Sequence, residues 1–146
     1  MTTTTHAPLT RTDARALVAP FYDALNRPTT KDVAALVNRC ASPEWRSFSA
    51  EGVSKGREEF IKQLGGFGKA LPDLTWTVQE VLVDGDRIVV RSDVTGTPAA
   101  DFMGVPHGGR SFRMMAIDIH TVKDGLLVTA FHVEDWAGAL RQLAGK

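Results

Sequence analysis

Ser111–Val122 (SFRMMAIDIHTV) runs through Lys123-Asp124-Gly125 into Leu126–Val133 (LLVTAFHV), and this stretch decides the fold. Both runs are rich in β-branched and apolar residues, and an Asp-Gly pair between two such runs signals a β-hairpin. Alternation along the first strand puts Asp118 and His120 on one face, and pairing through the turn lays them beside Leu126 to Asp135. A second hairpin precedes it. Leu74 to Val83 carries Trp76, Val78, Val81 and Val83 and turns at Asp84-Gly85-Asp86 into Arg87 to Thr95. There Ile88, Val90 and Val94 alternate with Arg87, Arg91 and Asp93. The segment between the hairpins, Gly96 to Gly109, is long for a connection inside a domain, so Phe102, Met103 and His107 are read as a lid or as dimer contacts.

Upstream of the hairpins the period becomes helical. Thr12 or Asp13 is expected to cap a helix bearing Leu17, Val18, Phe21, Tyr22 and Leu25, with Pro20 inside it. Thr29 or Thr30 is expected to cap a second, with Val33, Leu36, Val37 and Cys40 on one face. Ala41 to Ala50 reads as a short strand or an irregular wall. Ser54 is expected to cap a third helix whose apolar residues Phe60, Ile61, Leu64, Phe67 and Leu71 keep helical spacing through three glycines. Trp136 to Leu143 closes the chain as a short helix or 3₁₀ turn. Helices first and paired strands afterwards make an α+β domain, with the helices on one face of the sheet.

The 146 residues are 43% hydrophobic, with 17 basic against 17 acidic side chains, which suits one globular domain over residues 11–146 behind a threonine-rich tail, residues 1–10. Zero net charge offers no overall field for nucleic acid or an anionic membrane, and no apolar run approaches the roughly 20 residues of a membrane helix. Cys40 is the only cysteine, so an internal disulfide is excluded and a reducing, cytoplasmic compartment is expected. Histidines and carboxylates show no recognised metal-ligand spacing, and no metal or organic cofactor is expected.

The order of these elements resembles the NTF2-like superfamily and, within it, the SnoaL-like polyketide cyclases. The likeness runs from Thr12 to Gly145. It is carried by Leu71-Pro72-Asp73-Leu74, Val90-Arg91 with Gly96-Thr97, Phe102-Met103-Gly104-Val105-Pro106, Ile117-Asp118-Ile119, Asp124-Gly125-Leu126-Leu127 and Leu140-Arg141-Gln142-Leu143. The resemblance implies a cone, a curved antiparallel sheet against N-terminal helices around an apolar cavity. It also implies a homodimer through the outer face of the sheet, to which Trp136 is a candidate contributor. In those cyclases an aspartate shortly before the terminal Leu-x-Gln-Leu is the acid/base of an intramolecular aldol closure that uses no cofactor. Asp135 stands at that position, with Phe131 where tryptophan is common and His132 between them.

Enolisation needs a base within reach of an acidic C–H and a donor for the enolate oxygen. Phe131 and Val133 share a strand face with Asp135 and would desolvate its carboxylate; if the opposite face lines the cavity, His132 and Glu134 are the acid/base pair instead. Asp118 and His120 are placed to orient that group or to serve as structural hydrogen bonders. The candidate catalytic set is Asp135, Asp118 and His132. Tyr22, Trp45, Phe48, Trp76, Arg91, Phe102, Met114 and Phe131 are candidate walls for a small apolar or polycyclic ligand, with ordinary core packing as the alternative. Arg91 and Asp93 with Asp135 or Asp118 would imitate the Asp-Arg-Asp set of limonene epoxide hydrolases. A non-catalytic ligand-binding or accessory domain on the same cone is the other reading.

Overall fold

Thr10, two residues before the expected cap, starts the first helix, α1 (Arg11–Leu25). Its hydroxyl accepts the Asp13 N–H at 3.0 Å while the Asp13 carboxylate accepts the Thr10 N–H at 3.3 Å, a reciprocal capping box. This is a computed structural model, and it describes residues 8–146. Most of the expected tail therefore lies outside the described residues, while Leu9 packs against the core and Thr10 belongs to α1. Pro28–Thr30 forms a 3₁₀ turn, so Asp32, rather than Thr29 or Thr30, caps α2 (Val33–Cys40) by accepting the Ala35 N–H at 3.0 Å.

Ala41–Ala50 is a full strand, β1, and it recruits Val53–Gly56 as β2, with Phe48 opposite Ser54. That pairing takes Ser54 into the sheet, and α3 (Arg57–Ala70) begins at Gly56 instead. α3 runs on through its glycines. At Gly68 a Cβ would come within 2.9 Å of the Thr29 methyl, so glycine lets α3 lie against the 3₁₀ turn. The two expected hairpins form as β3 (Thr75–Asp84) with β4 (Arg87–Gly96) and β5 (Phe112–Lys123) with β6 (Leu126–Glu134), followed by the helix α4 (Trp136–Leu143).

The six strands make one curved sheet in the order β2-β1-β6-β5-β4-β3. Four neighbouring pairs are antiparallel, but β1 runs parallel to β6, which corrects the wholly antiparallel expectation. The crossover from β1 to β6 spans α3 and both hairpins, long enough for parallel pairing. Phe112, Met114, Ala116, Asp118 and His120 alternate inward along β5 with Arg113, Met115, Ile117 and Ile119 outward. α1 and α3 cover the inner face, where Trp45 sits 6.0 Å from Phe21 and 4.9 Å from Phe60 by ring centroid. Among the described residues no helix is long and apolar enough to cross a membrane.

Candidate active site

Between the inner face of the sheet and helices α1, α3 and α4 lies an open cavity of about 430 Å³. Phe21 and Leu25 of α1, Phe60, Leu64 and Phe67 of α3, and Leu74 and Trp76 form one side of its lining. The sheet contributes Asp118 from β5 and Ala130, His132 and Glu134 from β6, with Ser47 and Ser49 from β1 and Lys55 from β2.

Strand parity, left open by the spacing alone, is settled by register. Asp118 pairs with His132 across β5 and β6, and Ala116 pairs with Glu134, so all four point inward together. Opposite residues on one face hold their Cβ atoms about 5 Å apart, close enough for the charge of each side chain to act on the other. Glu134 is pinned at both oxygens: Trp136 Nε1 donates to Oε2 at 2.7 Å, and His132 Nδ1 lies 3.5 Å from Oε1. The bond to Glu134 raises the His132 pKa, against a smaller lowering by burial.

Asp118 is 4% exposed and anchored from behind. The Tyr22 hydroxyl donates to its Oδ2 at 2.6 Å and lies 2.8 Å from His120 Nε2. Tyr22 has one proton to give, so with that proton on Asp118 the contact to His120 requires the hydrogen on Nε2, leaving Nδ1 bare. Nδ1 indeed has no partner among the described residues, and Phe21 packs edge-on against the ring with centroids 5.1 Å apart. Burial pushes the His120 pKa down to about 3, so the imidazole is neutral at ordinary pH. Burial also raises the Tyr22 pKa well above its usual value. For Asp118, burial and the Glu134 charge outweigh the Tyr22 bond and His132, lifting the carboxyl to about 6. A carboxylate so tuned is a far better base at neutral pH than an exposed one.

Asp135 lies elsewhere. It is exposed and caps α4, accepting the Gly138 N–H at 2.9 Å, because β6 ends at Glu134 and a short polar side chain is then needed for the helix start. It does not line the cavity. Of the expected walls, Trp76 lines it. Tyr22 acts through Asp118, while Trp45 and Met114 are packed into the core. Phe48 and Phe131 stack on the outer face with centroids 5.0 Å apart, since their parity is opposite to that of Ser47 and His132. Arg91 also faces outward, its Nε 3.0 Å from Glu80 Oε2, and Asp93 pairs with Arg113. Neither Arg91 nor Asp93 reaches the cavity, so Asp118 lacks the arginine and aspartate partners of that set, which removes the epoxide hydrolase geometry.

The long connection after β4 is built rather than loose. Phe102 and Val105 exchange backbone hydrogen bonds at 2.9 Å across a tight turn made by Met103 at φ 48° and Gly104 at φ 82°. Phe102 is buried against Phe67 and Trp136, so only Met103 of the expected lid reaches the cavity mouth. His107 is exposed, its N–H bonded to Asp101. Trp136 packs inward between Phe67, Phe102 and Phe112 and lines the cavity, rather than facing out toward a partner.

Ser47, Ser49, Lys55 and Gln63 line the cavity without having been singled out in the sequence. Their placement depends on β2 pairing with β1, and the alternation of Ser47 and Ser49 about Phe48 is the one signal that pointed there. Among the described residues no group of three or more His, Cys, Asp or Glu is arranged to hold a metal ion.

Solved structures with the same architecture include TsrD from Streptomyces laurentii, 28% identical over 94% of this chain and 99% of its own, with a TM-score of 0.80. IdmH from Streptomyces antibioticus, a candidate polyketide cyclase, is 27% identical over 89% of this chain and 97% of its own, with a TM-score of 0.75. AclR from Streptomyces galilaeus, a candidate hydroxylase, is 26% identical over 94% of this chain and 84% of its own, with a TM-score of 0.77. No curated protein gives a significant sequence match. The sequence profile of the SnoaL-like polyketide cyclases matches residues 16–143, nearly the whole described fold, and this chain belongs to that family.

Proposed function

We propose that the protein is a cofactor-independent small-molecule enzyme, a polyketide cyclase or a related isomerase or lyase, that enolises a carbonyl substrate in this cavity. The observation that carries the reading is Asp118, held at one oxygen by Tyr22 and facing His132 across the β5–β6 pair at the cavity wall. Asp118 takes the proton from carbon, and the C–H electron pair forms the enolate. In a cyclisation the enolate carbon attacks a second carbonyl, and His132, protonated through its contact with Glu134, gives a proton to the new alkoxide. Asp118 takes the base role that the resemblance assigned to Asp135, because only Asp118 is desolvated and open to the cavity. The aromatic lining suits a flat apolar or polycyclic ligand. A homodimer through the outer sheet face and a cytoplasmic setting, in keeping with a single cysteine, complete the reading.

The test is deuterium uptake from D2O into a panel of enolisable aromatic ketones and 1,3-diketones, followed by NMR. Wild-type protein should accelerate uptake, and Asp118→Asn should reduce the acceleration by about 10²–10⁴-fold, the usual contribution of a general base. The rate of uptake should rise with pH through about 6 as Asp118 ionises. Uptake equal to buffer throughout the panel, or unchanged in Asp118→Asn, removes the acid/base reading and favours a non-catalytic binding domain.

A further inference from the structure

The four ionisable residues lining the cavity are not mixed: Asp118, His132 and Glu134 lie on β5 and β6, while Lys55 stands apart on the edge strand β2. Lys55 belongs to none of the ion pairs among the described residues, although two carboxylates share its cavity. Its Nζ instead donates to Gln63 Oε1 of α3, a neutral acceptor that holds the ammonium in place and leaves two of its three N–H groups free. Register sets Lys55 opposite Ser47 on β1, and Ser49, at the irregularity where the β1–β2 register shifts, also lines the cavity. Neither serine hydroxyl is hydrogen-bonded within the described residues, and Ser47 is 5% exposed. A charged donor and two idle hydroxyls therefore converge on one corner.

We infer that Lys55, with Ser47 and Ser49, forms an oxyanion corner that binds the carbonyl oxygen of the substrate and holds it as that oxygen becomes negative. The role of the oxygen rests on the enolisation reading above. β1 and β6 separate Lys55 on β2 from Asp118 on β5, about 14 Å between strand axes, and both side chains line the cavity between them. In this arrangement the substrate lies with its carbonyl oxygen at the corner and its α-carbon toward Asp118. As the C–H proton passes to Asp118, the C–H pair becomes the C=C bond and the carbonyl π pair moves onto the oxygen facing Lys55. No oxidant or further reactant is needed. Preorganised donors at the site where charge develops are the largest single source of such stabilisation, because they need no rearrangement during the reaction. The substrate class is accordingly an enolisable ketone or 1,3-dicarbonyl compound, with an apolar body toward Phe60, Phe67 and Trp76 and its carbonyl oxygen toward β2.

The experiment uses umbelliferone, a flat phenol whose neutral and anionic forms absorb differently, bound to the full chain and titrated with pH. On wild-type protein the bound phenol should ionise about tenfold more readily than in buffer, since an adjacent ammonium favours the anion. Lys55→Met, which keeps the aliphatic stem, should abolish the preference, and Lys55→Arg should keep most of it. Ionisation matching that in buffer, equal behaviour of wild type and Lys55→Met, or no saturable binding of umbelliferone overturns the inference. Anion selection without deuterium uptake leaves the corner standing and removes the acid/base reading; uptake without anion selection does the reverse.

Discussion

Over the residues that pair Ala116–His120 with β6, the two faces of the β5–β6 pair are inverted relative to an ordinary half-buried sheet. The inner face carries Asp118, His120, His132 and Glu134, while the outer face shows Ile117, Ile119, Phe131 and Val133 with 41%, 40%, 47% and 73% of their surface exposed. Antiparallel sheets normally turn their apolar side inward. Most of the inner polar atoms escape the usual penalty because they are satisfied in a chain, Tyr22 to Asp118 and His120 on one side and Trp136 to Glu134 to His132 on the other, with His120 Nδ1 left unpartnered among the described residues. The outer apolar residues have no such answer within one chain. Register lines up Phe48, Phe131, Ile119, Val89 and Leu82 as a row across five strands, the kind of surface that a partner subunit covers.

Substitutions on one face should leave the other untouched. Asp118→Asn, the largest expected effect, should abolish deuterium uptake while the elution volume and scattering mass stay those of wild type. Phe131→Asp should do the opposite. If the outer face is a dimer interface, an unpaired charge there costs about 3–5 kcal/mol, so the mass measured by light scattering should fall to that of one chain with the cavity chemistry retained. A monomeric wild type, or a dimer indifferent to Phe131→Asp, breaks this half of the comparison.

His120 gives an effect of a few kcal/mol with a definite sign. Its pKa is about 3 in the fold against about 6.5 unfolded, so its contribution is present above pH 6.5 and is lost as pH falls toward 3. Asp118 works against this: its carboxyl is raised from 3.8 to about 6, so its contribution is full below 3.8 and is lost as pH rises through 6. His120→Gln should therefore flatten the acid limb of stability measured by denaturant titration between pH 6.5 and 4. An acid limb as steep as that of wild type would show that His120 is not the group responsible. Tyr22→Phe is the smallest of these changes, at about 1.5–3 kcal/mol for a hydrogen bond to a charged group. It should also push the Asp118 carboxyl above 6, as read by carbon NMR of labelled aspartate, because the Tyr22 bond is what holds it down. A carboxyl that does not move would deny Tyr22 its positioning role.

Much of this was legible along the chain. Both hairpins follow from Asp-Gly turns between β-branched runs, and the helix-then-strand order sets the α+β class. The helix starts lie two or three residues from the caps that local pattern favours, displaced by the capping box at Thr10, the 3₁₀ turn before Asp32, and β2 at Ser54. Asp118 and His132 stood among the candidates because strand periodicity made them neighbours. Asp135 did too, yet the end of β6 at Glu134 turned it into a helix cap. Trp45, Phe48, Phe131 and Met114 show the limit of composition as a guide, since an aromatic or methionine carries no mark of whether it lines a cavity, fills a core or faces outward.

By itself the sequence determined the helices and the four strands of the two hairpins, the pairing within each hairpin, and the fact that acid/base residues alternate with apolar ones on the last two strands. These depend on neighbours along the chain, through turn chemistry and side-chain period. Only the tertiary structure decided which of the two alternating sets faces the helices, and that Lys55 and Asp118, remote in sequence, border one cavity, with Tyr22 anchoring Asp118 from behind. A strand's two faces are equivalent until another layer packs on one of them, and the parallel pairing of β1 with β6 that brings Lys55 to the site is a contact no local pattern encodes.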